Sequence, residues 1–244
     1  MDHLQKRISF LVAVLLAGNV VLAQEEDPDA GEGPWSGKVT LGYQGTSGNT
    51  DTTTYRTGFE VAYATDGWLH QLDAAGNGGE DSGATSAEAY QANWKSSWSF
   101  TEHDFVFGQL SWRKDRFAGV TEQVSTTLGY GRRVVDTPSH LLSLEAGLGY
   151  RDSDRADGTN ETSAIGRGAL NYTWTFSETA SFTQDLIVET GSDNTFIESV
   201  SAVQASLVST LALVASYTVK RNTDVPVGTN KTDTLTAISL EYGF

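Results

Sequence analysis

The sequence predicts an all-β chain that closes into an antiparallel transmembrane β-barrel of twelve strands, preceded by a signal peptide. Three observations carry that expectation. From Trp35 onward apolar and polar residues alternate with a period of two, which gives each strand two unlike faces. The breaks between alternating runs are by turns short and long, as in barrels with tight turns on one side and extended loops on the other. The chain then stops on "TAISLEYGF", where Ile238, Leu240, Tyr242 and Phe244 share one face of a strand.

The N-terminus is of a different kind. Lys6 and Arg7 precede an apolar run from Ile8 to Leu22, and Val21-Leu22-Ala23 leads into Gln24. A basic head, an apolar middle and a small-residue exit make a secretory signal peptide. The run is broken by Gly18-Asn19 and is short of the roughly 20 residues that a membrane-spanning helix needs. Expected cleavage after Ala23 makes 1–23 the signal peptide, 24–34 a flexible acidic periplasmic tail and 35–244 the barrel. Losing Asp2, Lys6 and Arg7 moves the formal charge from −15 to −16, which argues against nucleic acid as a partner. The chain has no cysteine, which excludes disulfides and thiolate metal sites. Nothing in it calls for a cofactor.

Strand by strand, residues 35–45 set Trp35, Val39, Leu41 and Tyr43 against Ser36, Lys38, Thr40 and Gln44. Residues 51–63 set Tyr55, Phe59, Val61 and Tyr63 against Arg56 and Glu60. Residues 67–77 follow, and 86–99 set Tyr90, Ala92, Trp94 and Trp98 against Gln91, Asn93 and Lys95. The better phase of 104–114 turns Phe105 and Phe107 into the lumen, an awkward place for aromatic rings. Residues 120–134 align Val124, Leu128 and Tyr130, and 140–151 align Leu142, Leu144, Ala146, Leu148 and Tyr150 opposite Glu145. After 161–175 and 180–190 comes 195–207, which is ambiguous. Turning Glu198 inward there leaves Ile197, Val203, Ala205 and Leu207 outward. Residues 210–221 align Leu211, Leu213, Ala215, Tyr217 and Val219, and 231–244 close the chain.

Each run covers the roughly 9–11 residues that a tilted strand needs to cross a bilayer. The strands are about twice the 5–6 residues usual in a soluble β-sandwich, the main alternative. An even strand number sets both chain ends on the short-turn side. Trp35, Tyr63, Trp68, Trp98, Phe100, Trp174 and Phe182 lie beside the short turns and are expected to form an aromatic girdle at headgroup level. Tyr43, Tyr55, Tyr90, Trp112, Tyr150 and Tyr217 lie near the other rim. The candidate lumen charges are Lys38, Arg56, Glu60, Asp73, Lys95, Arg113, Glu145, Arg167, Asp185, Glu189 and Glu241. Their mixed signs predict a polar interior laced with ion pairs, while the lipid-facing parity is expected to carry none, since Lys or Arg at mid-bilayer costs about 2–4 kcal/mol.

Signals for catalysis are weak. The chain beyond Ala23 has His70, His103 and His140, and no Ser/His pair with an orienting third residue is apparent. All three are read as interfacial. "DSDRADGTNE" fails as a calcium loop, because Ala156 stands at position five and Asp157 where Gly is required. It reads as an acidic surface loop; the alternative is a divalent ion bridging it to lipopolysaccharide.

With these elements in hand, "WSGKVTLGYQGTSGNTDTTTYRTGFEVAY" followed by "GW" resembles the opening of the salt-induced outer-membrane protein family (YdiY-like, domain of unknown function 481). Trp35, Gly37, Gly42, Gly48, Asn49 and Thr50 carry the resemblance. It implies an outer-membrane barrel of undefined biochemical activity and brings no catalytic residues. The expected location is the outer membrane of a Gram-negative bacterium, with lipid and lipopolysaccharide as surroundings. Ile238, Leu240, Tyr242 and Phe244 also resemble the C-terminal signal read by the barrel-assembly machinery. The expected role is non-enzymatic, either a narrow passive channel or a structural, stress-related envelope protein. The rival is a lipid- or peptide-hydrolysing barrel.

Overall fold

The computed structural model describes residues 33–47, 52–81, 84–115, 120–155, 158–192, 194–225 and 230–244. The proposed signal peptide and nearly all of the acidic tail lie outside these residues, as do Gly48, Asn49 and Thr50. Twelve strands form among them: β1 Trp35–Ser47, β2 Thr52–Thr65, β3 Trp68–Asp81, β4 Ala84–Ser99, β5 Asp104–Asp115, β6 Val120–Asp136, β7 His140–Arg155, β8 Asn160–Ser177, β9 Ala180–Gly191, β10 Thr195–Val208, β11 Leu211–Asn222 and β12 Thr232–Gly243. Each pairs antiparallel with its sequence neighbours, and β12 pairs with β1 to close the barrel. Closure leaves no strand edge unpaired, which is the condition for placing a sheet in hydrocarbon.

The short turns are as tight as expected. Two residues join β2 to β3, where Gly67 takes φ +80°, a conformation that glycine adopts without strain. On the far side the strands run further than the sequence suggests: β3 continues to Asp81 and β4 starts at Ala84, so "NGGEDSGAT" is mostly strand. A hairpin that is already in register keeps satisfying its backbone groups beyond the apolar band, so Gly and Asn do not end it there.

Alternation sorts the side chains as the period-two reading requires. Leu41, Phe59, Leu72, Trp94, Leu110, Leu128, Leu148, Leu213 and Ile238 stand on the outer wall, exposed, while Lys38, Asp73, Lys95, Glu145, Arg167, Asp185, Glu198 and Glu241 are buried within. The β10 phase is the one that turns Glu198 inward: Phe196, Glu198, Val200, Ala202 and Gln204 are buried, and Val203, Ala205 and Leu207 are exposed. Outward charges do occur, but near strand ends: Glu122 and Arg132 on β6, Asp152 and Asp154 on β7.

Phe105 and Phe107 do point inward, and both are buried. Their awkwardness disappears in the structure, because β6 offers glycines to receive the rings. A Cβ built on Gly129 would lie 2.5 Å from the Phe107 ring, and one on Gly131 would lie 2.2 Å from Phe105. The rings therefore lie flat on the bare backbone of β6. Phe244 covers Gly37 in the same way at the seam, at 2.6 Å, and its backbone both donates to and accepts from Gly37 at 2.9 and 2.8 Å.

Candidate functional site

Inward parity brings the eleven charges proposed from sequence to the inner wall, where they fall into clusters. Next to the seam, Lys38 of β1 reaches Glu60 of β2 at 3.2 Å and Glu241 of β12 at 3.5 Å. One ammonium thus ties the first, second and last strands together. Asp73 accepts from Asn93 at 2.9 Å and Asp185 from Asn171 at 2.9 Å, each across one strand pair.

The waist is built differently. Lys95 on β4 donates to Glu145 on β7, so the contact passes over β5 and β6 rather than between neighbours. The ammonium crosses the Phe107 ring at 4.7 Å and the Phe105 ring at 5.8 Å, a favourable cation–π placement. Arg167 of β8 binds the other oxygen of Glu145 at 3.1 Å and lies 3.9 Å from Glu189. The Lys95, Glu145 and Arg167 side chains are 8%, 3% and 1% exposed. This strut, with the Phe105 and Phe107 rings beside it, bridges β4, β7 and β8 through the interior. A second contact across the barrel sets Arg113 of β5 over the Phe196 ring of β10 at 4.7 Å.

Between these two crossings lies a small recess that opens in part to solvent. Its wall includes Gln91, Gln109, Arg113, Arg167, Glu189, Phe196 and Glu198. It sits on the long-loop side of the waist.

Sequence reasoning missed several members of this interior. Arg151 is 1% exposed and lies 3.9 Å from Glu189; its odd parity, shared with Glu145, is the signal for it, at the last position of the strand 140–151. Lys220 pairs with Glu198 at 3.1 Å, and Gln109 joins the recess wall.

The aromatic residues at the short-turn rim make a continuous ladder over several strands. Trp35 meets Tyr63 at 4.6 Å, and His70 stands between Tyr63 and Trp68 at 6.4 and 5.7 Å. Trp98 follows at 6.3 Å from Trp68, then Phe100 at 6.1 Å and Tyr130 at 6.4 Å. Trp174 lies between His140 and Phe176, at 6.1 and 5.4 Å, and Phe182 is its register partner on β9. Tyr130 and Phe176 join this rim beyond the girdle residues expected from the sequence, and His140 stands there as an interfacial residue. At the other rim Tyr90, Tyr150 and Tyr217 are exposed, while the side chains of Tyr43 and Tyr55 lie outside those described.

The structure brings together one Ser/His pair that the sequence reading did not name. Ser96 Oγ lies 2.9 Å from His70 Nδ1 on the outer wall. His70 has no further side-chain hydrogen bond among the described residues, so the third, orienting member of a triad is absent from the pair. At the acidic loop, Asn160 Nδ2 donates to Asp152 and Asp154 at 2.8 Å each, and no group of three or more potential metal ligands occurs among the described residues.

Residues 39–244 match the family model described as "Protein of unknown function, DUF481". The chain belongs to the DUF481 family. It is 31% identical over 229 residues to Uncharacterized protein YdiY of Escherichia coli (strain K12), covering 93% of this chain and 90% of that one. Among solved structures, this DUF481 barrel is similar to the NanC porin, with a TM-score of 0.59 and 10% identity over 84% of this chain and 98% of that one. It is also similar to the translocator domain of the autotransporter NalP from Neisseria meningitidis, with a TM-score of 0.55 and 12% identity over 88% and 90%. At such low identity these likenesses establish the outer-membrane-type barrel fold.

Proposed function

We propose that this DUF481 protein is a non-enzymatic barrel of the Gram-negative outer membrane that works as a structural envelope protein with a closed lumen. The observation that carries this reading is the waist, where Lys95, Glu145 and Arg167 cross the barrel over Phe105 and Phe107. Twelve strands enclose a narrow interior, between barrels filled by side chains and open 16-stranded porins. Here Lys95, Glu145 and Arg167 reach into it and bind one another. Purified protein in planar bilayers should give no discrete conductance steps; stable steps from the unaltered chain would overturn the closed-lumen reading.

A narrow passive channel is the second reading, favoured by one observation. The waist is made of side chains alone, with the recess on its long-loop side, so modest rotamer changes suffice to pass a small solute. The hydrolytic alternative has Ser96 and His70 as its natural pair. Lipid or peptide turnover that Ser96→Ala abolishes would establish it against both readings. The location is supported by the barrel's apolar outer wall and by the expected signal peptide, with cleavage after Ala23. Outer-membrane fractions should yield a chain beginning at Gln24. A stress-related role follows the family resemblance, and protein levels that stay flat as external salt rises would count against it.

A further inference from the structure

The recess on the long-loop side of the waist carries more positive than negative charge. Arg113, Arg167, Glu189 and Glu198 line it, and the pairs behind that wall tip the balance. Arg151 stands 3.9 Å from Glu189 and Lys220 3.1 Å from Glu198, while Glu145 is shared between Arg167 and Lys95. Those eight side chains are five cations and three carboxylates, an excess of two positive charges. Such an excess in a low-dielectric wall draws anions. Arg113 is the cation left without a carboxylate. Its guanidinium lies over Phe196 at 4.7 Å and makes no hydrogen bond or ion pair among the described residues. Glu198 acts on it from beyond ion-pair distance and is already held by Lys220. Directly across the β4–β5 register from Arg113 stands Gln91. Gln91 also lines the recess, and its amide has no hydrogen-bond partner among the described residues. The neighbouring Gln109 and Gln123, by contrast, spend their N–H groups on Ser111 and Ser153. Two unengaged donors, one of them charged, thus stand side by side at one opening. The space there is about 40 Å³, counted by where the centre of a water-sized guest can sit. One water takes roughly 10–15 Å³ on that measure, so the recess suits a monoatomic ion with a water or two.

We infer that the recess is a binding site for one small inorganic anion of halide size. Arg113 and Gln91 donate to the ion, and the Phe196 ring holds the guanidinium from its other face. Hydrogen bonds to a charged partner are about twice as strong as neutral ones, which favours a halide over water at this pair of donors. On the short-turn side Lys38 stands between two carboxylates, Glu60 and Glu241, so an ion in the recess meets an excess of negative charge at the seam. The site does not require the barrel to conduct; an ion can rest in the recess of a chain that never opens.

Chloride is the probe, at constant ionic strength with gluconate as the bulky balancing anion. Binding to the full barrel in a non-ionic detergent is read from the broadening of the chlorine NMR line, and bromide should reverse it by competition. The unaltered barrel should broaden the line saturably. Arg113→Gln should weaken binding by about tenfold or more, the equivalent of one lost hydrogen bond to a charge. Gln91→Leu should weaken it as well. Glu198→Gln, which removes a negative charge from the wall, should tighten it, an effect that a purely structural role for these side chains does not produce. Heat-modifiable gel mobility shows which variants are folded, and if Arg113→Gln is not, Gln91→Leu decides. No saturable broadening, unchanged binding by a folded Arg113→Gln or Gln91→Leu, or weaker binding by Glu198→Gln overturns the inference. So does a crystal soaked in bromide that shows water and no anomalous peak beside Arg113. Failure here leaves the closed waist standing, because conductance measures that separately.

Discussion

Replacing Glu145 by Ala removes the acceptor shared by two buried cations. In the intact barrel one carboxylate oxygen takes Lys95 Nζ and the other takes Arg167 Nη1 at 3.1 Å. Without it Arg167 keeps the 3.9 Å approach of Glu189 and the Phe107 ring at 5.7 Å, and Lys95 keeps the Phe105 and Phe107 rings. Breaking a buried ion pair from one side costs about 3–5 kcal/mol, because a charge remains without compensation. The cation–π contacts of Lys95, worth about 1–2 kcal/mol, exist already in the wild type and offset none of that loss. Glu145→Ala should therefore lose about 3–5 kcal/mol in urea unfolding from lipid vesicles, followed by Trp fluorescence and by gel mobility. Adding Lys95→Met to Glu145→Ala should recover part of the loss, since it removes one stranded charge. A Glu145→Ala barrel within about 0.5 kcal/mol of wild type would refute the claim that the waist is an engaged strut.

Phe105→Ala together with Phe107→Ala should open the waist from beneath and produce conductance steps that the unaltered chain lacks; a silent double variant would place the seal elsewhere. Gly131→Leu should disturb the barrel, because its side chain would occupy the Phe105 ring, at an overpacking cost of about 1–3 kcal/mol; unchanged urea unfolding would count against that contact. Deleting Phe244 removes the two backbone hydrogen bonds to Gly37 and should impair assembly, so normal surface levels of the truncated chain would contradict the assigned role of the C-terminus. Trp98→Ala interrupts the ladder between Trp68 and Phe100 and should lower urea-unfolding stability in vesicles by about 1 kcal/mol or more, the worth of the two ring contacts; unchanged unfolding would count against the ladder.

The fold was legible because a barrel strand writes its two environments alternately along the chain. Even the ambiguous β10 yielded once Glu198 was required to face inward. Pairing within the lumen was not legible. Parity states that Lys95 and Glu145 both point inside, but only the curvature of a closed sheet brings β4 opposite β7. The Phe105 and Phe107 rings looked misplaced because their support comes from Gly129 and Gly131, residues with no side chain to signal a contact. Ser96 and His70 escaped notice for a similar reason: they sit 26 positions apart, and the β3–β4 register that joins them, with His70 directly across from Ser96, is set by the hairpin rather than by local spacing.

The seam also dictates when this protein can exist. Lys38 finds its register partner in Gly243, nearly the whole chain away, and Glu241 stays distant until the last strand is in place. Nothing made earlier can cap β1. Synthesis and export must therefore deliver a molecule with two unsatisfied edges, and the entropy of joining them falls due in a single late event. Such a chain depends on whatever holds it unpaired until β12 meets β1.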